Sequence, residues 1–294
     1  MKWLITGASG LLGSALCAEL NNKHSVAIGL INHHKIKIDK ALIKKCDITD
    51  KNAISHVLES AAPTIIIHCA ALTNIDQCET NLNLATELHV TAPTLMAKWA
   101  YNNSCKMVYI STDHLWDGTQ KYVPETLQPV PLNNYAETKS NGEQQVLAAN
   151  PKALIARTNF YGKGLEWRPS FSDWIISSLQ KREDLNGYTD IHFTPLHRKQ
   201  LINLLLDLIS LDARGIYNVV SSERISKYDF IKKVATKFGL PEEKVKGIKS
   251  CETKSQTPRP KDMSLSSQKI STFLGRKMPS IDEGIDDLYT EMNG

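Results

Sequence analysis

The chain has 294 residues, 41% of them hydrophobic and 22% charged, with a formal net charge of +4. That length supports one large domain or two smaller ones around an ample core, and the composition is that of a soluble globular protein. No dense Lys/Arg block argues for nucleic-acid binding, and no run approaches the ~20 apolar residues of a membrane span.

In chain order, Lys2 to Thr6 reads as strand, Leu11 to Leu20 as helix and Val26 to Ile31 as strand. Lys51 to Ser60 reads as helix, Thr64 to Cys69 as strand, and Leu82 to Tyr101 as one long helix. Lys106 to Ser111 follows as strand, Tyr135 to Ala149 as helix and Ala153 to Arg157 as strand. Near-continuous apolar strands alternating with helices predict a parallel sheet covered on both faces. Beyond Arg157 the pattern loosens. Tyr161 to Phe171 carries glycine, proline and tryptophan, as a loop over a site does. Ile191 to Phe193, Lys199 to Leu211 and Ile216 to Val220 add strand, helix and strand. Ser226 to Phe238 has a capping hydroxyl and helical spacing, residues 249–260 read as a loop, and the tail is helical.

The six cysteines, Cys17, Cys46, Cys69, Cys78, Cys105 and Cys251, form no Cys-x-x-Cys pair and no zinc-type spacing. Reduced, mostly buried thiols in a cytoplasmic protein are expected. The apolar start is not read as a signal peptide, because Gly7, Gly10 and Gly13 interrupt it and Leu16 suits no cleavage site. The scattered histidines predict no metal site.

The chemistry concentrates in two places. Gly7-Ala8-Ser9-Gly10-Leu11-Leu12-Gly13 lies between the first strand and the first helix, where glycines let a backbone approach a dinucleotide diphosphate at a helix N-terminus. Tyr135 and Lys139 share a helix face, and Thr112 ends an apolar strand. The fold expected is therefore α/β. A doubly wound parallel-sheet (Rossmann) dinucleotide-binding domain spans 1–158. A smaller, mainly substrate-binding domain spans 159–294, with some segments returning to the first sheet. Tyr228 and Lys232 repeat the Tyr-x-x-x-Lys spacing, but no hydroxyl-bearing strand end precedes them, so Tyr228 reads as a packing residue.

With these motifs the chain resembles the extended short-chain dehydrogenase/reductase family, and within it the dTDP-4-dehydrorhamnose reductase branch. The resemblance runs nearly end to end. It is carried by Thr6 through Gly13, Cys46-Asp47-Ile48-Thr49-Asp50, Ala70-Ala71-Leu72-Thr73 with Asp76 and Glu79, and Ser111-Thr112-Asp113. Pro131-Leu132-Asn133 with Tyr135 and Thr138-Lys139 adds to it, as do Arg157-Thr158, Tyr161-Gly162, Ser226 with Tyr228-Asp229-Phe230, and Arg259-Pro260.

The resemblance implies catalytic roles for Thr112, Tyr135 and Lys139. Tyr135 would give its proton to a keto oxygen as hydride arrives, and Thr112 would orient that oxygen. Lys139 would lower the tyrosine pKa and hold the nicotinamide ribose. Ser111 reads instead as a strand-end hydroxyl that satisfies backbone. Gly7, Ser9, Gly10, Leu11, Leu12, Gly13, Asp47, Ile48, Ala70 and Ala71 would line the cofactor site, with an ordinary helix cap as the alternative for Asp47. The stretch Asn32-His33-His34-Lys35-Ile36-Lys37 has no acid where NAD-specific folds place one. His33 and Lys35 therefore favour the 2′-phosphate of NADPH, with NADH the alternative. Asp113, Trp167 and Arg259 would touch a nucleotide-sugar substrate, Arg259 at its diphosphate, and Arg168 and Trp174 would border the same pocket.

Two departures matter. His114 stands where related dehydratases carry a glutamate, which argues against dehydration. His89 stands where the family has an asparagine that holds the lysine's water relay; it replaces it, weakens it, or is a satisfied core histidine. The function expected is NADPH-dependent reduction of a 4-keto-6-deoxy nucleotide sugar for surface polysaccharide synthesis. The rivals are an NAD-retaining epimerase and a non-catalytic NADP-binding regulatory subunit like the methionine adenosyltransferase beta subunit, which the chain also resembles. Oligomeric state stays open, a homodimer among the options.

Overall fold

The computed structural model describes residues 1–22, 25–253 and 257–294. Of the loop expected over 249–260, residues 254–256 lie outside the described residues. Strands β1 (Lys2–Thr6), β2 (Val26–Ile31), β3 (Leu42–Lys45), β4 (Ile65–His68), β5 (Lys106–Thr112) and β6 (Leu154–Thr158) join one sheet. Among the described residues, β7 (Phe160–Tyr161), β8 (Leu185–Tyr188), β9 (His192–Phe193), β10 (Leu196–His197), β12 (Ile225–Ser226) and β13 (Val245–Ile248) lie outside it in two-stranded pairs, and β11 (Gly215–Asn218) returns to it. The sheet is seven-stranded, in the order β11-β6-β5-β4-β1-β2-β3. Every pairing is parallel.

Helices α1 (Leu11–Asn22), α2 (Lys51–Ala61), α3 (Ile75–Thr80), α4 (Leu82–Thr86), α5 (Ala92–Asn102) and α6 (Asn134–Ala149) belong to the first half. Helices α7 (Phe171–Gln180), α8 (Arg198–Ser210), α9 (Lys227–Phe238), α10 (Gln268–Leu274) and α11 (Ile281–Asn293) belong to the second. Strand alternation divides the apolar side chains between two cores. Trp3 and Ile5 face Leu16, Leu201 and Leu205, whereas Leu4 and Ile66 face Leu58, Met96 and Ala97. A third core, with Tyr161, Ile175, Phe230 and Leu288, holds the C-terminal half together. The sheet is thus buried on both faces, and the strand order reverses at β1, where such folds open a crevice beyond the strand C-termini.

Several elements differ from expectation. β3 is a short edge strand whose side chains are mostly exposed, so no apolar run marks it. Short helix α3 is set by its cap, with the Asn74 side chain accepting from the Gln77 amide. The long helix expected over Leu82 to Tyr101 is instead α4, a wide π-type turn over Glu87–Thr91, and α5. The stretch expected as loop ends in α7, started by a reciprocal Ser170–Asp173 capping box.

Candidate active site

The glycine turn is built by close approach. Gly7 has φ +66°, and a Cβ there would stand 2.8 Å from the Ala70 backbone. Only glycine supplies both the left-handed backbone and that contact. The Gly10 amide donates to the Gly7 carbonyl at 2.9 Å, turning the chain into α1. Above the turn lies a cavity of about 830 Å³. Of the cofactor residues expected, Gly7, Ser9, Gly10, Leu11, Leu12, Gly13, His33, Asp47, Ile48, Ala70 and Ala71 line it, and Lys35, Tyr135 and Lys139 do not. A second cavity, about 550 Å³ beside Gln200 and Glu283, holds none of the expected site residues.

Asp47 is not a helix cap. Asp50 caps α2, accepting from Asn52 and Ala53 at 2.9 and 3.1 Å. Asp47 accepts from the Thr49 amide and hydroxyl at 3.0 and 2.7 Å, which hold its carboxyl below its usual range. His33 and Asn32 pull the same way, so the edge strand β3 sets an acid beside the end of β2. Asp47 was expected at the cofactor site, but its place beside the end of β2 comes from the pairing of β3, which no apolar run marks.

Thr112, at the end of β5, and Tyr135, in the first turn of α6, are brought together, both at least nine-tenths buried. The Asn133 side chain caps α6 by accepting from the Ala136 amide at 2.9 Å. Tyr135 packs against Leu72, which lines the cavity, and hydrogen-bonds the Thr112 hydroxyl. One turn on, Lys139 donates to the Ile110 carbonyl at 2.7 Å, its ammonium 4.0 Å from the centre of the Tyr109 ring. Burial raises the Tyr135 pKa to about 12, with Thr112 the group that opposes it. Burial also lowers Lys139 to about 7, against the pull of Glu143. Burial thus dominates the Tyr135 pKa, and the group that opposes it is Thr112 rather than the Lys139 expected from the sequence.

Residues not singled out in the sequence carry this helix. Glu143 accepts from Arg157 Nε and Nη2, the latter at 2.7 Å, and from the Ser111 hydroxyl at 2.5 Å. Ser111 is structural, as expected, but its partner is this carboxylate rather than backbone. His89 is fully buried and uses both ring nitrogens. Its Nε2 accepts from the Leu72 amide at 3.0 Å, so Nδ1 carries the hydrogen and donates to Thr138 Oγ1 at 2.8 Å. Burial lowers His89 to about 2, and its carbonyl accepts from the Tyr109 hydroxyl at 2.9 Å. With every polar group engaged it is the satisfied core histidine among the readings above.

On the substrate side, Asp113 is buried, accepts from Asn159 Nδ2 at 2.8 Å, and lies 3.8 Å from His114 Nε2. Burial raises its pKa against the pull of His114, Lys227 and Asn159. Lys227, from the second half, stands 3.4 Å over the Phe193 ring and is lowered by burial to about 8, with Asp113 opposing. Asn159 and Lys227 were not expected here, because only the tertiary fold delivers them. Arg259 is half-exposed and pairs with Asp76 at 3.2 Å, a partner not anticipated for it. Trp167 and Arg168 line the cavity on the side of the glycine turn rather than the Asp113 side. Trp174 is exposed on α7 and stacks on Phe171, which lines the cavity, while Trp174 itself does not. Tyr228 packs against Gly187 within the third core. All six cysteines are free, and burial holds Cys17 near 12. Among the described residues no helix is long and apolar enough to cross a membrane.

The fold and sequence can be set beside known proteins. The sequence model of the RmlD substrate binding domain family matches residues 1–293. A dTDP-4-dehydrorhamnose reductase from Bacillus anthracis in complex with NADP is 28% identical, with a TM-score of 0.86 and 99% of each chain covered. A dTDP-4-dehydrorhamnose reductase ortholog from Clostridium acetobutylicum is 27% identical, with a TM-score of 0.88 over 100% of both chains. The probable low-salt glycan biosynthesis reductase Agl14 of Haloferax volcanii is 27% identical, covering 97% of this chain and 96% of its own. Methionine adenosyltransferase 2 subunit beta of Xenopus laevis is 30% identical, covering 94% of this chain and 84% of its own. The chain belongs to the RmlD substrate-binding domain family, and its Rossmann-type sheet carries the site of a short-chain dehydrogenase/reductase-type oxidoreductase.

Proposed function

We propose that the chain uses NADPH to reduce the keto group of a 4-keto-6-deoxy nucleotide sugar, in the manner of a dTDP-4-dehydrorhamnose reductase serving surface polysaccharide synthesis. The observation that carries this is Thr112 and Tyr135 lying together beside the cavity wall at Leu72, with Lys139 one helical turn on and anchored to the Ile110 carbonyl. The residues around that cavity suit a dinucleotide. A Cβ at Gly7 would strike the Ala70 backbone, so glycine lets the turn lie close against the sheet at the N-terminus of α1, an end that favours an anion. The NADP-bound relative from Bacillus anthracis supports the phosphorylated cofactor, and His33 lines the cavity at the end of β2 with Asp47 beside it.

A reduced nicotinamide, when bound, supplies the hydride. Tyr135 then donates its phenolic proton to the oxygen that becomes the hydroxyl, and Thr112 hydrogen-bonds that oxygen and fixes its direction. Lys139 must carry its proton to assist the phenol. Ribose hydroxyls and phosphates brought nearby favour that charged form, opposing the desolvation that lowers it to about 7. Asp113 and Asn159 form a hydrogen-bonded rim for sugar hydroxyls.

A second reading, a non-catalytic regulatory subunit, is favoured by the 30% identity to the Xenopus laevis beta subunit. Turnover separates the two. With NADPH and dTDP-4-keto-6-deoxy sugars, supplied before and after 3,5-epimerisation, the expected result is loss of NADPH absorbance. Tyr135→Phe should lower it about 10²–10⁴-fold while NADPH affinity is kept. NADPH binding without reduction of either sugar supports the regulatory reading. Equal rates in the Tyr135→Phe variant would remove Tyr135 from the chemistry.

A further inference from the structure

The segment between β7 and α7 is a stapled turn. The Leu165 amide donates to the Arg168 carbonyl at 3.2 Å and the Arg168 amide donates back at 2.8 Å, leaving Glu166 and Trp167 at the tip. Asp173 Oδ2 pins its base, accepting from the Gly164 and Ser170 amides at 2.7 Å each. The turn reaches across to the first half at two points. Trp167 stacks on His34 with ring centroids 3.7 Å apart and planes within 8°. Arg168 Nη2 donates to Thr73 Oγ1 at 2.6 Å. His34 follows β2 and Thr73 follows β4, and in the sheet β1 lies between these two strands. The turn therefore straddles the C-terminal end of β1, above Gly7 to Gly13. Trp167, Arg168, His34 and Thr73 all line the same cavity as those glycines.

We propose that residues 165–168 form a clasp over the bound dinucleotide, with the Trp167–His34 pair closing the adenosine side and Arg168 binding the diphosphate. The inference rests on the dinucleotide reading of the cleft. Arg168 donates to a neutral hydroxyl, which leaves guanidinium donors to turn toward an anion in the glycine turn below. A planar guanidinium forms paired, charge-assisted hydrogen bonds to phosphate. The diphosphate is the group such a position selects, because the 2′-phosphate belongs farther out, at the end of β2. With the clasp shut, a dinucleotide leaves only after the stacked pair parts.

The test measures affinity by calorimetry and release by stopped-flow displacement, for NADPH, NADH and dTDP. It compares the intact chain with Trp167→Ala, Arg168→Gln and Arg168→Lys. Both side chains are exposed, so the melting midpoints without nucleotide should match that of the intact chain and exclude misfolding. Arg168→Gln is expected to weaken NADPH and NADH by the same factor, about tenfold or more, with Arg168→Lys recovering part of it. Trp167→Ala is expected to release both cofactors about fivefold faster. A loss confined to NADPH would move Arg168 to the 2′-phosphate and overturn the diphosphate assignment; a loss confined to dTDP would move it to the sugar nucleotide and do the same. Unchanged affinity and release in the variants, beside an intact chain that binds, would overturn the clasp alone. An intact chain that binds neither cofactor would sink the dinucleotide reading and the clasp with it.

Discussion

Gly142→Ala sets local preference against packing at the helix that carries Tyr135 and Lys139. Helix propensity alone favours the change, since alanine in a helix interior is better than glycine by about 0.8–1.0 kcal/mol. The structure opposes it. A Cβ at Gly142 would lie 2.5 Å from the Tyr109 hydroxyl and closer still to the His89 carbonyl, in the π-type turn that α6 packs against. Ordinary contact begins near 3.4 Å and the nearer obstacle, the His89 carbonyl, is backbone, so the helix must retreat by roughly 1.3 Å and strain the buried Tyr109–His89 hydrogen bond. Overpacking of this kind costs about 1–3 kcal/mol, and a broken buried hydrogen bond a similar amount. Packing wins, leaving a net loss of about 1–2 kcal/mol and a melting midpoint lower by about 2–8 °C. The retreat also carries Tyr135 and Lys139 off Thr112, and a displacement of about 1 Å can cost ~10²-fold in rate. Calorimetric melting and kcat on the reactive sugar check both parts. A variant that melts higher than the parent at unchanged kcat would refute the reasoning.

Glu143→Gln leaves the Arg157 guanidinium buried without its carboxylate, and should cost about 3–5 kcal/mol by urea unfolding. Adding Arg157→Met should recover part of that; losses that simply sum would show the pair is not coupled. His68 and His89 are lowered from 6.5 to about 3 and about 2, so the unfolded chain binds more protons than the native one below pH 6.5. Stability therefore falls as pH drops from 6.5 toward about 3, by up to about 1.4 kcal/mol per pH unit for each histidine. A His89→Asn variant should show a shallower slope in the urea midpoint, and equal slopes would show that His89 is not held neutral.

What the sequence disclosed follows from how local each signal is. The central strands and α6 are legible because Met107-Val108-Tyr109-Ile110 is a continuous apolar run and Tyr135 and Lys139 sit one helical turn apart. β3 is not legible, since Leu42-Ile43-Lys44-Lys45 lies at a sheet edge with little to bury. Its absence from the reading hid how Asp47 comes to stand beside His33. The start of α7 was written in Ser170 and Asp173, but the glycine, proline and tryptophan just before it outweighed that cap. The Glu143–Arg157 pair joins a helix to a strand, and no spacing rule predicts which buried arginine a helical glutamate will meet. Trp167 announced a loop over a site; which end of the cleft it covers depends on His34, a contact across the whole fold.

The edge strand β11 bears on how this polypeptide is made. β6 ends at Thr158, and its outer partner begins only at Gly215, after β7 to β10, α7 and α8. A nascent chain that has just delivered its nucleotide half therefore displays Leu154-Ile155-Ala156-Arg157-Thr158 as an open edge with unpaired amides and carbonyls. Synthesis at about 5–20 residues per second leaves that edge bare for several seconds. The boundary expected at residue 158 separates β6 from β11, which pair in one sheet, so it does not mark a place to cut. The first half needs a strand lent by the second, so the two are bound in manufacture as well as in catalysis.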